Sequence, residues 1–146
     1  MGLDMWLYAK KYFFGNDEMI TKISKEFPEM EGFECKEVKF EVAYWRKANQ
    51  IHKWFVDNCQ DGVDECQNSF VSKENLEELL KLVKEVLENH DKAEELLPCG
   101  EGFFFGGNEY GEDYFDDLNN TKEMLEKILN RIKENKGWDI YYSSSW

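Results

Sequence analysis

The sequence predicts an α+β domain, a small antiparallel sheet packed against three to four helices, and three observations predict it. Two segments alternate apolar and polar residues with the period of a strand, at Leu3–Tyr8 and Val38–Val42. Longer segments repeat apolar residues at helical spacing, most clearly after Ser72 and again after Asp113. The chain has 146 residues, 42% of them hydrophobic and 16% aromatic, enough for one core spanning 1–146 without metal or disulfide staples.

In the opening segment Leu3, Met5 and Leu7 face one way while Asp4, Trp6 and Tyr8 face the other, so it is read as a strand. Gly15 and Asn16 break it. Asn16 or Asp17 then caps a short helix whose Ile20, Ile23 and Phe27 share a face, and Pro28 stops it. Val38, Phe40 and Val42, alternating with Glu37, Lys39 and Glu41, make the clearest half-buried strand. Tyr44, Ala48, Ile51, Phe55 and Cys59 repeat helically, which predicts an amphipathic helix from about Ala43 to Asn58, ended by Asp61-Gly62.

Ser72 is the expected N-cap of a helix from Lys73 to His90, with Leu76, Leu79, Leu80, Val83, Val86 and Leu87 on its apolar face. A second long helix is expected from about Asp113 to Asn135, its stripe being Leu118, Thr121, Leu125, Ile128 and Ile132, with Gly137 beyond its end. Acids lead it and bases close it, as the helix dipole favours. Between these helices the glycine-bracketed run Phe103 to Phe105 is too short for a helix and reads as a short buried strand. Trp138 to Tyr142 alternates weakly and can pair with another strand.

Charge narrows the function classes. The net charge of -13 argues against direct nucleic-acid binding, which needs clustered Lys and Arg to neutralise phosphates. The charge is segregated, however: Lys36 to Trp54 holds five Lys/Arg against two Glu, while Asp91 to Asn120 holds nine acids against Lys92. The N-terminus lacks the order of a signal peptide and no apolar run is long enough to span a bilayer, so no membrane partner and a cytoplasmic location are expected. Cys35, Cys59, Cys66 and Cys99 are then expected as reduced thiols.

Several constellations bear on chemistry. Placed on the Ala43–Asn58 helix, Trp45, Asn49, His52 and Val56 form one strip beside the core stripe, and Arg46, Gln50 and Lys53 another. A ring, an amide, an imidazole and cations are what an aromatic, anionic small molecule such as a nucleotide requires. Phe104, within the glycine-flanked run, and Tyr110 add stacking surfaces, which makes Trp45, Arg46, Asn49, His52, Lys53, Phe104 and Tyr110 the candidate ligand-binding set. The bland alternative is a partly buried Trp45 with its polar neighbours in water.

Glu109, Glu112, Asp113, Asp116 and Asp117 are compatible with a metal site, a glycosidase-like carboxylate pair or an acidic interaction surface, and most simply with an acid-rich helix start. His90 fits a helix C-terminus, where a cation is favoured. Cys59 and Cys66 lack the partner pair of a structural zinc site. The stretch Asp57 to Asn68 resembles a calcium loop only superficially, because Cys59 and Asn68 stand where oxygen ligands belong. Gly100 to Gly107 lacks both the GxGxxG order and the Walker lysine. No catalytic residue, metal or cofactor is assigned on these grounds.

Four blocks together, MGLDMWLYAKKYF, EVAYWRKANQIHKWFVDNCQDGVDEC, GFFFGGNEYGEDYFDDL and WDIYYSSSW, resemble a family of small acidic bacteriophage and prophage proteins opening with MGLDM. The resemblance implies a phage setting inside a host bacterium and brings neither an activity nor catalytic residues. By analogy with small accessory phage proteins, it makes an anti-defence role the expectation. Two designs compete: a pocket that sequesters a nucleotide-like signal molecule, and an acidic surface that mimics DNA or blocks a host defence or nucleic-acid-binding protein. A homo-oligomer is compatible with either.

Overall fold

The fold is described by a computed structural model covering residues 2–15, 17–102 and 106–146. Among these residues four strands, β1 (Asp4–Tyr12), β2 (Glu37–Arg46), β3 (Ser69–Val71) and β4 (Trp138–Ser145), form one antiparallel sheet in the order β2-β1-β4-β3. Among the described residues five helices accompany it: α1 (Glu18–Glu26), α2 (Asn49–Cys59), α3 (Lys73–Glu88), the single turn α4 (Ala93–Leu96) and α5 (Glu112–Ile132). The predicted α+β class is therefore what the chain adopts.

The first strand occupies the sheet interior because its alternation is clean. Leu3, Met5 and Leu7 are fully buried and meet Ile51 and Phe55 of α2, Leu76, Leu79 and Val83 of α3, and Leu118 and Leu125 of α5 in one core. Phe55 stacks on Tyr142 of β4, their rings 4.1 Å apart and nearly parallel. The opposite face of β1 keeps a half-exposed layer in which Lys39 lies 3.9 Å over the Tyr8 ring and Lys10 lies 4.6 Å over Tyr141.

The second strand departs from expectation. It runs on through Tyr44 and Trp45 to Arg46, pairing with Asp4 to Trp6, so the predicted helix from Ala43 loses its first turn. A bulge explains how one strand can satisfy both patterns. Leu7 faces Ala43 while Tyr8 faces Glu41, leaving Val42 as the extra residue. Phe40 before the bulge and Val42 within it share a groove with Ile128 and Ile132 of α5, and Ala43 and Trp45 after it are buried in the core. The chain then reverses at Lys47, whose φ of 58° lets α2 start at Asn49.

Other boundaries shift less. A three-residue edge strand, β3, was not anticipated; three residues carry too little alternation to read. α3 ends at Glu88, and His90 lies in a following 3-10 turn capped by Asn89, where its ring stacks on Phe115 at 3.7 Å, so it does not sit in the last turn of α3. Asp17 caps α1 by accepting from the Met19 N–H at 2.9 Å, but no residue of α1 is buried and the expected Ile20, Ile23, Phe27 face meets no core. The long helix α5 buries Leu118, Thr121, Leu125 and Ile128 as predicted. The strand expected at Phe103 to Phe105, and Asn16 as a cap, lie outside the described residues.

Candidate functional site

Where β2 turns into α2, the chain meets the start of α5 and the loop before it. Arg46 and Lys47 from the turn, Asn49 and Gln50 from the first turn of α2, Cys99 and Gly106 to Glu109 from the loop, and Gly111 to Tyr114 with Asp116 and Asp117 at the start of α5 enclose a cleft of about 590 Å³. Two segments that the sequence assigned to rival designs, the basic strip and the acidic cluster, thus face one another across a single cavity.

Asn49 builds the cleft. Its side chain is buried, its Nδ2 donates to the Gly107 carbonyl at 2.7 Å, and its Oδ1 accepts from the Gly100 N–H at 3.1 Å. One amide therefore clamps both ends of the loop onto α2. Close approach accounts for the glycines there: a Cβ on Gly100 would sit 3.1 Å from the Asn49 carbonyl oxygen, and one on Gly106, at φ +89°, 3.1 Å from the Lys47 Cβ.

Gln50 is buried as well, its Nε2 lying 3.3 Å from both the Tyr114 carbonyl and Asp117 Oδ2. Asp117 is the most perturbed acid in the cleft. Burial pushes its carboxyl up from the usual 3.8 to about 6, opposed by the Gln50 hydrogen bond and aided by the charges of Asp113 and Asp116. Burial also raises the Cys99 thiol, and it raises the Tyr114 hydroxyl, which donates to the Leu97 carbonyl at 2.7 Å.

The first turn of α5 has Gly111 as N-cap and no side-chain cap, so its leading N–H groups remain available at the cleft wall. Arg46 is exposed, its Nη1 3.9 Å from Asp4 Oδ1. The cleft is consequently divided, with two cations at the turn and Glu109, Glu112, Asp113, Asp116 and Asp117 opposite. Among the described residues none of these five acids lies within an ion pair. Nor do three His, Cys, Asp or Glu side chains among the described residues converge as a metal site would require.

The remaining members of the predicted ligand set go elsewhere. Trp45 is on a strand rather than a helix and is 3% exposed, its Nε1 donating to Thr121 Oγ1 at 2.8 Å, so it is a core residue. His52 is 2% exposed and bonded on both sides, with Nδ1 2.6 Å from the Tyr142 hydroxyl and Nε2 2.7 Å from Asp64 Oδ2. Asp64 Oδ1 in turn accepts from Trp146 Nε1 at 3.0 Å, tying the last residue to the core. Lys53 pairs with Asp57 at 2.6 Å and lines a separate shallow groove beside Pro98.

Tyr110 stands next to the cleft on the same loop, its hydroxyl accepting from the Cys99 N–H at 3.2 Å and its ring edge-on to Tyr114. Phe104 lies outside the described residues. The candidate ligand set omitted Lys47, Gln50 and Cys99, although the Lys and Gln adjoin Arg46 and Asn49 in sequence. Among the described residues no helix is long and apolar enough to cross a membrane. Comparison with protein-family models, with curated proteins and with solved structures finds no match.

Proposed function

We propose that this chain is a binding protein that sequesters a nucleotide-like signal molecule, and that in a phage or prophage setting it acts against host defence. The observation that carries the binding reading is the divided cleft, with Arg46 and Lys47 at one end and a carboxylate wall with buried Asp117 at the other. A bare phosphate is repelled by five acids against two cations. A nucleotide is accommodated when its phosphate meets Arg46, Lys47 and the uncapped α5 amides while N–H groups on its base face the carboxylates. Bases with donor-rich edges are therefore favoured.

Thermal unfolding against a panel of mono-, di- and cyclic oligonucleotides tests the reading. A ligand at about a hundred times its Kd stabilises the fold by roughly 2.7 kcal/mol, well within detection. The expected result is a raised midpoint for one nucleotide class that Arg46→Ala abolishes without loss of fold. If no nucleotide shifts the midpoint at millimolar concentration, sequestration of these ligands is wrong.

A second reading is favoured by one observation, the absence of cation partners for Glu109, Glu112, Asp113 and Asp116 among the described residues. An acidic face of this kind suits a basic host defence or nucleic-acid-binding protein. Under that reading Glu112→Gln weakens the complex and salt dissolves it, whereas under the first Glu112→Gln leaves an anionic ligand bound equally or more tightly.

A further inference from the structure

The hairpin of β1 and β2 has no tight turn. Between them the chain leaves the sheet as an arm, described over residues 14–15 and 17–36, that carries α1 and a 3-10 turn at Pro28–Met30, and neither element buries a residue. Its roots are fixed, because Phe13 is buried and donates its N–H to the Lys36 carbonyl at 2.8 Å. Beyond them Phe14 is 79% exposed and Phe33 71%, with Met19, Phe27 and Met30 also open to solvent. Exposed apolar groups concentrated on one projecting segment mark an interaction surface.

The same molecule carries an unfilled apolar groove. Phe40 and Val42 of β2, Ile128 and Ile132 of α5, and Trp138 of β4 line a depression of about 460 Å³, and its charged lining residues are Lys127 and Arg131 against Glu41. Neither cation has an ion-pair partner among the described residues. No residue of α1 lines the groove, so the arm does not occupy it within its own chain.

Apolar character, charge and position match arm to groove. The arm is apolar and acidic, with six acids against three lysines over residues 14–36, and the groove is apolar with a net basic lining, Lys127 and Arg131 against Glu41. Phe40 pairs with Ala9 and Trp138 with Lys11, so the groove opens at the end of the sheet from which the arm departs. A two-fold axis beyond that end brings each arm to the other copy's groove, a closed and isologous arrangement. Five large apolar side chains bury on the order of 500 Å² per arm. Two reciprocal insertions, counted on both surfaces, then bury about 2,000 Å², the upper end of the standard interface size.

We propose that the chain forms a two-fold homodimer in which each arm lies in the partner's Phe40–Trp138 groove. Sedimentation velocity of the full chain at high micromolar concentration is the test, with twice the 17.4 kDa chain mass expected. Phe27→Glu in the arm and Phe40→Glu in the groove each yield monomers, with circular dichroism reporting the fold. Mixing the two variants restores a heterodimer, since one intact arm then meets one intact groove. Arg131→Glu changes only the charge of the lining and weakens the dimer about tenfold or more. A monomeric wild type overturns the proposal, as does a dimer that survives all three substitutions.

Discussion

Asp117 shows how a single side chain couples the cleft to stability. Burial favours its neutral form, so the folded chain holds that proton more tightly than the unfolded chain does, with a pKa of about 6 against the usual 3.8. The destabilisation is absent below the unfolded value and fully present once pH exceeds the folded one. Asp117→Asn, which keeps an oxygen for Gln50, is expected to raise stability by about 1–2 kcal/mol at pH 7, less than the full shift implies because solvent reaches and screens part of the carboxyl, and to change little at pH 3.5. Thermal melts of both proteins at the two pH values check this. Under the sequestration reading the same group gives binding a pH profile: affinity for a donor-bearing ligand rises as Asp117 ionises between pH 5 and 7, and Asp117→Asn flattens the profile. Nothing in the local sequence marks this aspartate among its neighbours, since burial and the Gln50 contact come from a helix far away in the chain.

Among the elements, α3 is the one whose start was written in its own residues. Ser72 Oγ accepts from the Asn75 N–H at 3.0 Å and Asn75 Oδ1 accepts from the Ser72 N–H at 3.1 Å, a reciprocal cap that needs no tertiary partner. Ser72→Ala is expected to cost about 1 kcal/mol, seen as a lower urea midpoint with an unchanged slope. The helix α2 is the opposite case. Its polar residues Asn49, Gln50 and His52 were expected on strips flanking the core stripe, yet all three are buried because Gly107, Tyr114, Asp64 and Tyr142 arrive to satisfy them. Its start was also misplaced, because Tyr44 and Trp45 continue a helical apolar spacing by coincidence while pairing as strand with β1.

For the whole molecule the dominant quantity is a charge of -13, whose self-repulsion opposes compaction. Raising ionic strength from a few millimolar to physiological, where the Debye length is about 8 Å, is expected to raise the melting midpoint by a few degrees. A midpoint that falls with salt would show that attractive ion pairs dominate instead. The exposed pairs, Lys36–Glu34 and Lys136–Glu134 among them, are too solvated to produce that result. Composition and periodicity by themselves determined the α+β class, the first strand, both long helices and the segregation of basic from acidic segments, because each follows from short-range residue order. The tertiary structure alone decided that those segments share one cleft, that Trp45 and His52 belong to the core, and that the arm between β1 and β2 stands clear of it. Burial, bulge parity and distant hydrogen-bond partners are set by which elements meet, and residue spacing along the chain carries no record of that.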